Sequence, residues 1–489
     1  MSLFRRKPLA AMLAQASEQG GLKRTLTANG LIALGIGAII GAGLFVRTAA
    51  ASAEAAGPAV VVSFMIAAIG CAFAGICYAE FAAMIPIAGS AYTYSYVTMG
   101  EFVAWIIGWS LVLEYALGAT TVAISWSEYL NNLFNGRIPY QWCHSFLQTS
   151  TDGVRGIINA PAVLILLLIT LILIKGIQES AAINTVIVVI KVAIVIVFIA
   201  IGWGFINPVN HTPFMIPAGT AGHEGTFQHG WGGVLGGASI VFFAFIGFDA
   251  VSTAAQETKN PGRDMPIGIL GSLALCTVLY ILFGYVLTGV GHWQEFLTVG
   301  KEASVAYAIQ HHMPGYGWLG TLVTVAILFG FTSVILVMLL GQSRVFFTMA
   351  NDGLLPKIFA ELHPTFRTPY KSNVLLFIFA GALAGLLPGD ITGDLTSIGT
   401  LFAFVLVCAG VWIMRRKQPD VPRPFRAPMV PLFPLLGILI CGAMIVALNH
   451  RSQLVAFLWM LAGLVVYFGY SKAHSRLNRP EPVESVSRS

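Results

Sequence analysis

Three ionisable side chains, Glu114, Lys191 and Asp249, fall inside long apolar runs where a bilayer's hydrocarbon would lie. Lys191 has about ten almost wholly apolar residues on either side. An ammonium isolated in hydrocarbon is costly, so it needs a partner or a watery cavity. Its charge would also compete with a neighbouring sodium ion. Reversible protonation of Lys191 is therefore the expected way to couple an ion to movement. Asp249 follows Gly247 in an interrupted apolar run, where it can cap a resumed helix, carry a proton, or do both. Glu114 is read either as a structural hydrogen-bonding group between helices or as part of the same coupling set. Glu80, Glu128 and Glu257 lie nearer the ends of their runs, where solvation, capping or pairing would suffice.

A second kind of chemistry resides in backbone. The stretch Gly35-Ile-Gly-Ala-Ile-Ile-Gly-Ala-Gly43 has four glycines in nine residues, which weakens a helix and admits close approach by a ligand. Tight helix packing is the competing reading, since Gly37 and Gly41 form a small-xxx-small pair. A dinucleotide fingerprint is disfavoured, because its third glycine position holds Ile40 and no βαβ unit surrounds it. Further on, Gly247 and Asp249 interrupt Phe242-Phe-Ala-Phe-Ile-Gly-Phe-Asp-Ala-Val-Ser-Thr253. An opened helix offers N–H groups to a carboxylate and carbonyls to an ammonium. Two such openings suit a small zwitterion, an α-amino acid above all.

The elements that must position these groups are membrane spans. Of 489 residues, 57% are hydrophobic and 10% charged, with mean hydropathy +0.80, whereas soluble domains carry about 25% charged residues. Twelve spans are expected, near 29–54, 58–84, 100–130, 158–175, 181–205, 231–256, 266–290, 318–347, 373–388, 395–414, 430–449 and 452–470. Most reach the ~20 residues that cross a bilayer as helix, and a transmembrane barrel would need short alternating segments instead. With the N-terminus inside, 21 of the Lys and Arg residues fall on the cytoplasmic side and 5 outside, Lys191 being the remaining one. This follows the positive-inside rule, and an odd number of spans would destroy it. The +6 charge thus reports topology and gives no reason to expect nucleic acid. Residues 1–28 read as a cytoplasmic arm without a cleavable signal, with an amphipathic piece over Leu9–Ala16. Residues 471–489 read as a cytoplasmic tail. Five of six cysteines lie within spans and form neither a disulfide framework nor a metal pattern. His211, His223 and His229 belong to an external loop expected to be wet, their spacing matching no metal motif.

Together, Gly35–Phe45, Ala79-Glu-Phe-Ala-Ala-Met-Ile-Pro-Ile-Ala-Gly-Ser-Ala-Tyr-Thr-Tyr94, Phe245–Glu257, Gly341-Gln-Ser-Arg-Val-Phe-Phe347 and Asp352-Gly-Leu-Leu-Pro356 resemble the amino acid–polyamine–organocation superfamily, specifically bacterial members of its cationic amino acid transporter branch. The likeness covers about residues 25–470. It implies an all-α polytopic membrane protein of two inverted five-helix repeats, 29–205 and 231–414, with discontinuous first and sixth spans, followed by two more helices over 430–470. It further implies that Gly41, Ala42 and Gly43, with Ile40 beside them, hold the substrate carboxylate through backbone N–H groups. The carbonyls of Phe243, Ala244 and Ile246 would receive the ammonium, Phe243 would be an aromatic gate, and Met338 would face the substrate side chain. Lys191 would occupy the region used by sodium in sodium-coupled relatives, bonding the unwound first span. Glu114 and Asp249 complete the expected coupling and gating set.

The function so implied is proton-coupled import of small neutral or broadly chosen L-amino acids across a bacterial inner membrane, with both termini cytoplasmic. Cationic amino acid or polyamine uniport or exchange on the same fold is the alternative. Animal cationic members usually carry two further C-terminal spans, which are absent here. The expected partners are substrate and lipid, with no cofactor, no metal and no nucleic acid, and with oligomeric state left open. No nucleotide, metal or covalent-chemistry constellation points to an enzyme. Nothing indicates a receptor domain for a sensor or a filter motif for a channel.

Overall fold

The computed structural model describes residues 4–8, 24, 26–85, 90–150, 152–176, 181–297 and 304–478. The expected amphipathic piece at Leu9–Ala16 and the tail beyond 478 lie outside the described residues. The described spans are helical, as a backbone without water must be if its N–H and C=O groups are to be satisfied, and loops such as 212–229 join them. The helices are α1 (Ala28–Ile39), α2 (Val60–Met84), α3 (Ser90–Thr98), α4 (Glu101–Leu133), α5 (Ala160–Lys175), α6 (Ala181–Gly202) and α7 (Gly230–Val241). They continue with α8 (Pro261–Val290), α9 (Ser304–His312), α10 (Gly317–Asn351), α11 (Tyr370–Leu386), α12 (Gly389–Lys417), α13 (Leu432–Ala447) and α14 (His450–Val466). Among the described residues, eight helical stretches are long and apolar enough to cross a membrane, and four shorter apolar helices accompany them. Large apolar side chains cover the outside as well: Leu164, Leu168 and Leu171 on α5 and Val186, Val189 and Ile190 on α6 are exposed. Such an inverted surface suits lipid.

Both expected interruptions are present. α1 stops at Ile39, Ile40 turns extended (φ −73°, ψ 104°), and the chain resumes as a π-helical turn at Gly43–Arg47 that runs on to Ala56. The other break follows α7. A 3₁₀ turn over Phe242–Phe245 leads to Ile246 in extended geometry and Gly247 at φ +113°, and a 3₁₀ segment Asp249–Glu257 completes the crossing. Only glycine holds that φ without strain. A Cβ there would also lie 2.8 Å from the Ala38 carbonyl oxygen.

The breaks sit in the middle of the core. Ile39, Ile40, Ala42, Phe243, Ala244 and Ile246 are all buried. Around them α8 packs on α2 and α1, α10 and α12 pack on α4, α11 packs on α5, and α13 packs on α12. Where α1 begins, Leu26 pairs with Thr258 at the far end of the second broken element, through Leu26 N–H to the Glu257 carbonyl and Lys259 N–H to the Leu26 carbonyl.

Two of the acids near helix ends, Glu80 and Glu128, are paired rather than solvated. Glu80 accepts two hydrogen bonds from Arg415 and one from Ala427 N–H, and Arg423 lies 3.3 Å away. Glu128 faces His144 at 3.3 Å. The loop that carries His211, His223 and His229 is drier than its composition suggests. His223 is buried, with Nε2 2.8 Å from the Ala53 carbonyl, because the loop folds back on the second half of the first broken element.

Candidate functional site

A helix that stops at Ile39 leaves its last carbonyls without intrahelical partners. Two side chains supply donors. Lys191 on α6 donates from Nζ to the Gly37 carbonyl at 2.9 Å, and a cation is well placed at a helix C-terminus. Tyr280 on α8 places its hydroxyl 3.0 Å from the Ile39 carbonyl and 2.9 Å from that of Ala244. One hydroxyl thus spans both breaks. Lys191 is only 3% exposed, and its stem lies along Gly330 of α10, where an added Cβ would come within 3.0 Å of Cε.

The breaks touch directly. A Cβ on Gly43 would lie 2.2 Å from Ala244 Cα and 2.6 Å from its nitrogen. Small residues at both positions are therefore a geometric requirement of this approach. Beyond Ile40 the restarted helix presents first-turn N–H groups at Ala42 and Gly43 that have no helical carbonyl before them. Donors of the first break and acceptors of the second are thereby set side by side, as a zwitterion requires.

α10 supplies the neighbouring wall. Val334 packs against Gly41, 3.2 Å from where its Cβ would be. Met338, one turn later, is buried with its sulfur 2.8 Å from the Cβ position of Gly118 on α4. The thioether is tucked into the space that this glycine leaves. Phe243 is buried in the second break.

Glu114 and Asp249 meet in the core with Tyr115, Tyr78 and Thr400 close by. Both acids are fully buried. Tyr115 donates to Asp249 Oδ2 at 2.9 Å, while Asp249 Oδ1, both Glu114 oxygens and the Tyr78 hydroxyl make no hydrogen bond of regular geometry. Asp249 is the first residue of the restarted segment, whose N-cap is Phe248 without a side-chain cap. Its carboxylate faces the backbone N–H groups of Gly247 and Asp249 as well as the Tyr115 hydroxyl. Two ionised carboxylates cannot share a dry site, so the pair has to hold a proton or a cation.

A cavity of about 250 Å³ reaches this region from the end where α1 begins, lined by Gly37, Ala38, Tyr115, Thr253, Glu257 and Arg344 among others. It reaches Gly37, whose carbonyl accepts from Lys191. Tyr280 and Val334 are the two wall residues that sequence reasoning missed. For Tyr280 a signal existed: a tyrosine in an apolar span needs a hydroxyl partner. Val334 carries no such mark.

Discontinuous helices packed against one another inside a polytopic helical bundle define a membrane transporter. Residues 26–470 match the amino acid permease family, to which the chain belongs. It is 42% identical over 484 residues to the branched-chain amino acid permease BcaP of Bacillus subtilis (strain 168), covering 98% of this chain and 99% of that protein. It is also 42% identical to the methylthioribose transporter of the same organism, over 98% and 100% of the two chains. Cationic amino acid transporter 4, vacuolar, of Arabidopsis thaliana is 34% identical over 86% of this chain and 68% of its own. The chain is a permease, not an enzyme. Its similarity reaches branched-chain and cationic transporters alike, so the comparisons support the superfamily and do not single out the expected cationic branch.

Proposed function

We propose that this chain imports L-amino acids, small neutral ones or a broad range, by alternating access coupled to protons. Secondary transport of amino acids rests on the family and on the bacterial permeases it resembles. The observation that carries the finer reading is the Lys191 ammonium bonded to the Gly37 carbonyl at the end of α1. A protonated lysine holds the broken first span, and its deprotonation releases that carbonyl. The proton moves with the substrate because both act on the same break. Backbone N–H groups at Gly41, Ala42 and Gly43 take the carboxylate, and carbonyls of Phe243, Ala244 and Ile246 take the ammonium. Val334, Met338 and Phe243 offer an apolar wall, which favours an uncharged side chain. Glu114 and Asp249 form a second proton-holding group in the core.

The reading includes twelve spans in two inverted repeats, 29–205 and 231–414, with 430–470 added, in a bacterial inner membrane and with cytoplasmic termini. Contact between counterpart helices supports the repeat: α2 with α8, α4 with α10, α5 with α11, and one break with the other. The test is uptake into proteoliposomes with and without an imposed ΔpH, for wild type and Lys191→Met together. Met keeps the length and removes the charge, so insertion survives while proton-driven accumulation is lost. Full accumulation by the mutant would remove Lys191 from the mechanism. Acceleration by internal substrate without dependence on ΔpH would favour exchange.

A second substrate reading has its own support, since the methylthioribose transporter is as similar as the branched-chain permease. A competition panel of alanine, leucine, arginine and methylthioribose decides between them. Inhibition by methylthioribose alone would overturn the amino-acid reading.

A further inference from the structure

The second half of the first broken element ends as abruptly as the first half does. Its last turn, Ser52–Ala56, is π-helical, so each carbonyl looks five residues ahead for an N–H. Ser52 finds that of Gly57, but the partner due to Ala53 is Pro58, which has none. Ala59, next along, gives its N–H to the Phe214 carbonyl at 2.9 Å. The Ala53 carbonyl is answered instead from the loop, by His223 Nε2 at 2.8 Å. A helix C-terminus carries partial negative charge and favours a cation beside it. Lys191 meets that demand at Gly37 with an ammonium. His223 meets it at Ala53 with an imidazole, a group whose charge changes between about pH 5 and 8.

The surroundings of the ring suit its charged form. Nδ1 lies 3.3 Å from the Ala221 carbonyl, so both ring nitrogens face oxygen acceptors. A neutral imidazole has one N–H and serves only one of them, whereas the imidazolium serves both. Glu224, next in the chain, is close enough to feel that charge. His229 places Nδ1 3.0 Å from the His223 carbonyl, and Trp293, after α8, stands edge-to-face with the ring at 5.4 Å. The other titratable or charged groups on elements packed here are Glu54 beside Ala53, Arg47 paired with Asp394, His292 against Trp293, and Glu295, which His312 holds at 2.6 Å. His223 is only 2% exposed, yet Gly222 and Glu224 on either side of it are exposed. A proton therefore has a short path to it from water.

We infer that His223 is a proton-sensitive positioning residue for the second half of the first broken span. Protonated, it bonds Ala53 and Ala221 at once and holds that half against the loop; neutral, it lets one of the two bonds go. The pH it reads is that of the side on which the loop lies, which the orientation proposed above makes the outside. It is separate from the proton held at Lys191, since the two cations cap different halves of the span. Low pH on that side steadies one half of the site whatever substrate is present. Only the effect on transport rests on the alternating-access reading above.

Hydrogen exchange followed by mass spectrometry on the purified full-length protein reads this helix end directly and needs no substrate. With intrinsic exchange divided out, protection of the peptide covering Ser52–Gly57 in the wild type should rise on the order of tenfold from about pH 8 to about pH 5.5. His223→Gln keeps a donor for Ala53 but takes no charge, so its protection should stay at the high-pH value throughout. His223→Arg is always charged and should give protection that does not vary with pH. His229→Gln removes a neighbouring imidazole and should leave the wild-type dependence in place. A flat wild-type profile, a dependence that survives in His223→Gln or His223→Arg, or its loss in His229→Gln would overturn the inference. Either His223 variant decides if the other is not monodisperse. Wild-type uptake is measured beside these. Uptake of amino acids with flat protection refutes the proton sensor only, whereas pH-dependent protection without such uptake refutes the substrate reading only.

Discussion

Gly43→Ala is the smallest change that probes the contact between the two breaks. The added Cβ would meet Ala244 at 2.2 Å from Cα, 2.6 Å from N and 2.8 Å from Cβ. Ordinary carbon contacts lie at ~3.5–4.0 Å, so the two elements must separate by about 1.5 Å. Two of the three obstructing atoms are backbone, and no rotamer change can relieve them. Overpacking of this kind costs about 1–3 kcal/mol. Charged to a site gripped from both breaks, that is a loss of roughly 5- to 150-fold in affinity. Equilibrium binding of radiolabelled substrate to purified, monodisperse protein reads it, with the melting temperature taken in parallel. Gly30→Ala on α1 is the control, because its Cβ would meet only Leu26 and Thr27 side chains at 3.6 and 3.9 Å. Wild-type affinity and melting for Gly43→Ala would refute both the close approach and the two-sided grip.

Tyr280→Phe leaves the Ile39 and Ala244 carbonyls without their shared donor, an expected loss of about 1–3 kcal/mol seen as a lower melting temperature. An unchanged melt would mean that water replaces the hydroxyl. Phe243→Ala should reduce uptake strongly while binding persists, as recognition there uses carbonyls; wild-type kinetics would return Phe243 to packing. Met338→Ser should admit larger side chains in a competition assay, since the thioether filling the gap beside Gly118 is gone. An unaltered panel would leave Met338 as packing between α10 and α4.

What the sequence disclosed, it disclosed through violations of the bilayer's rules. Lys191 was legible because charge in hydrocarbon has to be answered, and the answer, the Gly37 carbonyl, is one that a broken helix leaves free. The first interruption was legible because four glycines clustered in an apolar run, the second because Gly247 and Asp249 broke one, and Gly247 indeed holds a φ that other residues resist. Val334 was not: an apolar residue facing the site looks like one facing lipid until the phase and neighbours of α10 are known. Met338 was placed near the substrate by likeness, but only packing shows its sulfur lying toward Gly118. The bond from His223 to Ala53 escaped for a related reason, as 170 residues separate its members and neither looks unusual where it stands.

Tyr280 has one hydroxyl proton and two carbonyls within reach. The one proton serves one carbonyl at a time, so the tyrosine can pass its bond from the first break to the second by turning a single torsion. An arriving amine brings three N–H groups, enough to end the contest. A substrate amine at the second break would take over the Ala244 carbonyl and leave the tyrosine proton to Ile39, so that binding and the bond between the breaks become one event.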